Sequence, residues 1–259
     1  MAEDPELLFE RHRAVAVLTF NRPHARNAMT FAMYEGLVTC CDEVDADDDI
    51  RVLVLRGAGG KAFVSGTDIR QFLDFDSGRT GAEYEANIDR YLGRLDGLRK
   101  PAIALVEGYA VGAGISIAAA CDLRVCTPDA QFGLPVARTL GNCLSMTGYA
   151  RLVALLGEAR VKDVVFTARM VGADEALAAG LVSAVVPAEE IEAHVLELAE
   201  RVAGHAPITL RVTKEALRRL RDANVPDGAD LVEEAYGSED FRQGVAAFLE
   251  KRRHTWTGR

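Results

Sequence analysis

The sequence has no uninterrupted apolar run of the ~20 residues that a membrane helix needs. The nearest approach, Ala102 to Cys121, is broken by Glu107 and by glycines at 108, 112 and 114. The first residues, MAEDPELLFERHR, are acidic and lack the apolar stretch of a signal peptide, which predicts a cytoplasmic chain. Proline is scarce, at 8 of 259 residues, and 49% of the chain is apolar, so a mostly disordered chain is excluded. Positive charge is also short. Lys and Arg total 30 against 39 Asp and Glu, a net charge of -9, which argues against a nucleic-acid partner.

Five cysteines (Cys40, Cys41, Cys121, Cys126, Cys143) make an odd number and form no CxxC. They predict a reduced compartment, with neither a disulfide framework nor structural zinc. The five histidines (His12, His24, His194, His205, His254) form no HExxH, and no metal site is expected.

What is present is an α/β pattern. Ala14–Phe20, Arg51–Arg56, Ala102–Val106 and Leu123–Cys126 read as strands. Thr30–Val44 reads as a helix with Thr30 as N-cap, and the acidic run Asp45–Asp49 as its solvated end. Alternating strands and helices imply crossover units on a sheet buried on both faces. From residue 149 the periodicity is helical, over Tyr149–Leu156, Glu158–Thr167, Asp174–Ala179, Glu189–Ala203, Ile208–Asp222 and Ser238–Arg252. Val182–Val186 is the only strand expected there.

Glycine clusters invite nucleotide motifs and fail them. Gly57-Ala58-Gly59-Gly60-Lys61 lacks P-loop spacing, and Ala62 stands where a magnesium-holding hydroxyl belongs. Gly112-Ala113-Gly114 starts a dinucleotide fingerprint, but Ile117 occupies its third glycine position. No GxSxG elbow is present. Two segments keep their interest: Phe63–Ile69 and Gly108–Gly114 each follow a strand and lead toward a helix. Small residues there let backbone N–H groups approach a ligand, and two N–H groups aimed at one point make an oxyanion hole. Either segment alone reads first as a tight turn that needs glycine and nothing more.

Together, and in this order, the segments resemble the crotonase (enoyl-CoA hydratase/isomerase) superfamily. The resemblance rests on Asn21-Arg22-Pro23 with Asn27-Ala28, on Phe63, Gly66, Asp68 and Ile69, and on Lys100–Ala104 with Gly108–Gly114. It continues through Ala120-Cys121-Asp122, Ala130–Gly133, Ala178–Val182 and the tail from Glu239-Asp240-Phe241 to Arg252. It implies a crotonase-like spiral of ββα units over residues 1–190, followed by a C-terminal helical trimerisation region over 191–259. It implies a homotrimer or homohexamer that binds an acyl-CoA thioester, without a separate cofactor because coenzyme A is part of the substrate.

The resemblance places the oxyanion hole on the backbone N–H groups of Thr67 and Ala113, where an enolate would be stabilised. It places Arg26 and Ala28 in the segment that meets the CoA adenine and phosphates, and Ser65, Gly66, Asp68, Ile69, Gly112 and Val136 among the residues that bind substrate or CoA. Phe248 and Lys251 match tail positions that lie beside a neighbouring subunit's CoA. Arg26 reads either as a phosphate contact or as a solvated arginine. Asp68 reads as a residue at a helix N-terminus rather than a proton carrier, and Tyr84 and Tyr91 as packing on the acyl wall.

The family's hydratases carry two glutamates, and here their positions hold Ser116 and Val136. A carboxylate about eight residues further on, used by isomerases, is replaced by Leu144 next to Ser145. Hydration needs a group that activates water and one that protonates Cα, so two-glutamate hydration is not expected. The remaining polar side chains are Ser116, Arg138, Thr139, Asn142, Cys143 and Ser145. Asn142 reads as a substrate contact or a turn residue, and Cys143 as a nucleophile or an inert buried thiol. The expected activity is that of a lyase or isomerase on an acyl-CoA. The alternatives are decarboxylation or C–C cleavage, with Arg138 holding a substrate carboxylate, and a non-catalytic acyl-CoA-binding trimer.

Overall fold

The computed structural model describes residues 5–259; the expectation drawn from MAEDPELLFERHR falls in part on residues 1–4, which lie outside them. The strands are β1 (Leu7–His12), β2 (Val15–Phe20), β3 (Val52–Gly57), β4 (Ala62–Val64), β5 (Ala102–Val106), β6 (Tyr109–Val111), β7 (Leu123–Cys126), β8 (Gln131–Gly133), β9 (Met170–Gly172) and β10 (Ala184–Val185). The helices are α1 (Phe31–Ala46), α2 (Gly78–Asp96), α3 (Ala113–Ala120), α4 (Val136–Thr139), α5 (Met146–Leu156), α6 (Glu158–Thr167), α7 (Ala173–Ala178), α8 (Ile191–Ala203), α9 (Pro207–Asp222), α10 (Ala229–Gly237) and α11 (Glu239–Leu249).

Two sheets alternate along the chain. One has the order β1-β2-β3-β5-β7-β10, and the other β4-β6-β8-β9. From β3 to β8 each strand of the first sheet is followed by a strand of the second, so the chain winds as a spiral of ββα units. β1–β2 and β8–β9 are antiparallel and the other pairings are parallel.

The run VAVLTF of β2 is buried along its whole length because both faces of the sheet are covered. Alternate residues Ala16, Leu18, Phe20, Leu53, Leu55 and Ala104 join the main core. Their neighbours Val15, Val17, Val52, Val54, Ile103 and Leu105 pack with Ile191, Val195 and Ala199 of α8. The period of two on the strand thus meets the spacing of four on the helix.

The structure corrects parts of the sequence reading. The second half holds β9 as well as β10, and β10 is shorter than Val182–Val186. The last helix ends at Leu249, with Lys251 in the left-handed region at φ 55. α5 begins three residues early, at Met146, because Ser145 caps it by accepting from the Gly148 N–H at 3.0 Å. The Asp45–Asp49 run is not simply solvated. Asp45 is 13% exposed and meets Arg94 at 2.9 Å, while Asp47 pairs with Arg11 at 2.8 Å. No described helix is long and apolar enough to cross a membrane.

Candidate active site

Two backbone loops meet at Gly66 and Gly112. Both residues have positive φ, at +126° and +57°, which a side chain would strain. A Cβ on Gly112 would come 3.5 Å from the Gly66 Cα, so the two chains run almost in contact. Gly114 allows the approach, since a Cβ there would fall 2.0 Å from the Val64 carbonyl oxygen.

Among the described residues, the backbone N–H of the next residue in each loop, Thr67 and Ala113, has no acceptor. Met29 donates to the Gly66 carbonyl at 2.9 Å, and the Asp68 N–H donates to the Met29 carbonyl at 2.9 Å. This parallel bridge uses the groups on either side of Thr67 and turns the Thr67 N–H away from Met29. Ala113 is the first residue of α3, so its N–H has no acceptor within the helix and sits at the positive end of the helix dipole.

Thr67 and Ala113 line a cavity of about 490 Å³, together with Ala28, Ser65, Gly66, Asp68, Ile69, Gly112, Ser116, Val136, Asn142 and Phe248. Tyr34, Phe72, Tyr84, Ile88, Leu134 and Leu140 make much of the remaining wall apolar or aromatic. Arg26 and Lys251 lie outside this wall; the Arg26 guanidinium sits 5.6 Å from the Tyr109 ring centre instead. Asn27, beside Arg26, is fully buried and ties its loop to the β3–β4 turn, donating to the Ala58 and Ala62 carbonyls at 3.0 and 2.7 Å.

Thr67 brings its hydroxyl as well as its N–H. Its Oγ1 stands 2.8 Å from the Tyr34 hydroxyl and 2.7 Å from the Tyr84 hydroxyl. Burial raises the pKa of both tyrosines, so both stay neutral. Tyr34 also stacks on Tyr91, with ring centres 5.4 Å apart.

Asp68 is the only carboxylate on the wall of this cavity among the described residues. It caps a short 3-10 turn (Ile69–Phe72) and pairs with Arg70 at 2.6 Å and Arg22 at 3.2 Å. Hydrogen bonds from Arg70, aided by Arg22 and opposed by burial, hold it down at about 2. A carboxylate of that kind is a poor base at neutral pH. The two positions left without glutamate supply no replacement. Ser116 donates its hydroxyl to the Gly112 carbonyl one turn back, at 3.2 Å, and Val136 is a buried apolar wall residue. Arg138 is exposed and has no place in the wall.

Asn142 ends a chain of polar groups. Its Nδ2 donates to the Tyr236 hydroxyl at 3.1 Å, and that hydroxyl donates to Glu85 Oε1 at 2.6 Å. Glu85 Oε2 accepts from the Ser145 N–H at 3.0 Å. Burial pushes Glu85 up to about 7, opposed by the hydrogen bonds from Tyr236 and Ser145 and aided by Asp89. The Cys143 thiol is pushed up to about 12, again by burial, which removes the thiolate a nucleophile needs.

The sequence reading missed Glu85 and Tyr236, and it did not place Tyr34 at the site. The signal for Glu85 was available. The buried stripe Ile88, Tyr91, Leu92 and Leu95 of α2, extended back one turn, meets Tyr84 and Glu85. A carboxylate on such a stripe must be partnered inside the fold.

The model of the enoyl-CoA hydratase/isomerase family matches residues 10–259. The chain is similar to the short-chain-enoyl-CoA hydratase of Clostridium acetobutylicum, 34% identical over 95% of each protein. It is similar to the 2,3-dehydroadipyl-CoA hydratase of Escherichia coli, also 34% identical, over 98% of this chain and 99% of that one. Among solved structures, methylmalonyl-CoA decarboxylase in complex with 2-nitronate-propionyl-CoA superposes with a TM-score of 0.90, at 28% identity over 98% and 99% of the two chains. An enoyl-CoA hydratase/carnithine racemase from Magnetospirillum magneticum gives 0.80, at 31% identity over 99% and 97%. With its spiral of alternating sheets and a family match over nearly its whole length, the chain belongs to the crotonase, or enoyl-CoA hydratase/isomerase, family.

Proposed function

We propose that the chain is a lyase or isomerase that binds an acyl-CoA thioester and works through its enolate. The thioester oxygen accepts hydrogen bonds from the Thr67 and Ala113 N–H groups. The observation that carries this reading is the near-contact of Gly66 and Gly112, which brings two unspent backbone donors to one cavity wall. Charge that develops on the oxygen during reaction strengthens both bonds, so they act most in the transition state.

Ser116 and Asn142 are the polar side chains on the wall that could orient the acyl group or a water. Ala28, Ser65, Gly66, Asp68, Ile69, Gly112 and Val136 surround the thioester. Arg26 lies outside the wall and meets the CoA phosphates. Phe248 and Lys251, at the end of α11 and just beyond it, serve the CoA end of the site, against a neighbouring subunit in a trimer or hexamer. Assembly is supported by α9, which buries no residue and leaves Ile208, Val212, Leu217 and Leu220 exposed.

Two-glutamate hydration has no support, since neither Ser116 nor Val136 can activate water or protonate Cα. Decarboxylation or C–C cleavage is the second reading. Bond scission itself leaves the electron pair on the enolate, so no base is required to form it, and the structural likeness to a decarboxylase favours this option. A turnover screen with enoyl-CoA and 2-carboxyacyl-CoA thioesters tests the reading. Turnover of either class supports it. Tight binding with no turnover of any thioester would leave a non-catalytic acyl-CoA-binding trimer.

A further inference from the structure

We propose that Tyr34 and Tyr84 are positioning residues for the oxyanion hole: by holding the Thr67 hydroxyl from two helices, they fix the tilt of the peptide that presents the Thr67 N–H. This rests on the reading of that N–H as a donor to an acyl-CoA thioester.

The two backbone donors are not held alike. The peptide that carries the Ala113 N–H opens α3, and its carbonyl, on Gly112, accepts from the Ser116 N–H at 3.3 Å and the Ser116 hydroxyl at 3.2 Å. The peptide that carries the Thr67 N–H has one donor on its carbonyl, the Met29 N–H at 2.9 Å. The next peptide is tied to Met29 as well, through the Asp68 N–H. Both backbone anchors of Thr67 therefore lie on a single residue, and Gly66, with no side chain and a φ of +126°, adds little restraint. A peptide held on one side only can rock about that side. A hydrogen bond weakens as its angle departs from linear, so rocking spoils a donor even when its distance is kept.

The Thr67 side chain supplies the missing anchor. Its Oγ1 stands 2.8 Å from the Tyr34 hydroxyl of α1 and 2.7 Å from the Tyr84 hydroxyl of α2. A hydroxyl can engage two partners at once, donating to one and accepting from the other. The rings behind these hydroxyls are themselves held. Tyr34 is fully buried and stacks on Tyr91. The Tyr84 ring meets Phe72 and Phe75 edge-on, with centres 5.1 and 5.6 Å away. Neither phenol has to touch the ligand to act, so their burial suits the role. Donors that act on a reacting atom need to be held within about 0.5 Å and 10–20°, which takes locked neighbours of this kind. Alanine at position 67 would keep the N–H and lose the anchor.

The test is the absorption spectrum of bound 2,4-hexadienoyl-CoA, a conjugated thioester. Its band moves to longer wavelength as hydrogen bonds draw electron density onto the carbonyl oxygen, so the shift reads the hole independently of turnover. Wild-type protein should show this red shift. Thr67→Val, which keeps the shape and loses the hydroxyl, should lose about half of it, because one of two donors is misdirected. Affinity should change by less than about 3-fold, since the ground state gains least from the hole. Tyr34→Phe and Tyr84→Phe should each lose less, because Oγ1 keeps one partner. Adding Tyr84→Phe to Thr67→Val should cause no further loss, because both remove the same bond. Thr67→Ser should recover most of the shift that Thr67→Val loses.

A full red shift in folded Thr67→Val overturns the proposal. Should that variant not fold, a full red shift in Tyr84→Phe does so. Equal losses in Thr67→Ser and Thr67→Val overturn it too, since only one of them lacks the hydroxyl. So does weaker binding with an unaltered shift, which would make the hydroxyls part of the cavity wall and no more. Binding to wild-type protein without a red shift would refute the oxyanion-hole reading itself, and no binding at all the acyl-CoA reading; either takes this inference with it.

Discussion

The Asp68 carboxylate reaches Arg22 at 3.2 Å across 46 residues of sequence, and so ties the loop carrying Thr67 to the turn that enters α1. Arg22 is itself buried and donates to the Ala28 carbonyl at 2.6 Å. The link therefore fixes two edges of the cavity relative to each other.

Asp68 has a folded pKa of about 2, below the ~3.9 of an unfolded aspartate. Its contribution to stability is present above the unfolded value and is lost as pH falls through the folded one. Thermal melts should show this loss between about pH 4 and pH 2. Asp68→Asn should remove that part of the acid dependence and lower stability at pH 7 by about 1–3 kcal/mol. Identical melts for the two proteins across this range would contradict the link.

Ala113→Pro tests the donor at the start of α3. Proline lacks an N–H, yet the first position of a helix is where it is best tolerated, so the fold should survive. Losing one oxyanion donor should cost roughly 3–4 kcal/mol of transition-state stabilisation, a fall of about 10²–10³-fold in kcat. The check is steady-state kinetics beside a circular dichroism spectrum. A folded variant with full activity would refute the role of that N–H.

These loops were legible because they rest on backbone demands that only glycine meets, and glycine can be read directly. The sheets were legible where a strand is long enough for a pattern, as in β2, β3 and β5. β4, β6, β8 and β9 are three residues each and show no periodicity of their own. The partnership of Glu85 with Tyr236 was hidden for a different reason. The two are 151 residues apart, and although the stripe of α2 marks Glu85 as buried, nothing local names its partners, which arrive from α10 and the start of α5.

Crotonyl-CoA should be hydrated slowly or not at all. General acid–base groups contribute roughly 10²–10⁴-fold each, so lacking both should leave the rate at least about 10⁴-fold below an efficient hydratase. Ser116→Glu with Val136→Glu should raise it more than either change alone, because the two carboxylates would act as a unit. Loss of the enoyl thioester absorbance reports the rate. An efficient wild-type rate would mean that another group, with Asp68 and Asn142 the first to test, carries the chemistry.

Assembly should be visible in sedimentation velocity at micromolar concentration as a trimer or a pair of trimers. Charged substitutions at Ile208 and Leu220, both more than two-thirds exposed, should weaken it without unfolding the protomer. A wild-type monomer would remove this reading of α9.

The Tyr34–Thr67–Tyr84 cluster has an arithmetic consequence. Three hydroxyls bring three protons, and the two contacts among them use two. Whichever way the bonds run, one proton is left over on one of the three hydroxyls. Both phenols stay neutral across the working pH range, so this surplus persists there. Each oxygen keeps lone pairs as well, so the three side chains together can donate one further hydrogen bond and accept others, without a single formal charge among them.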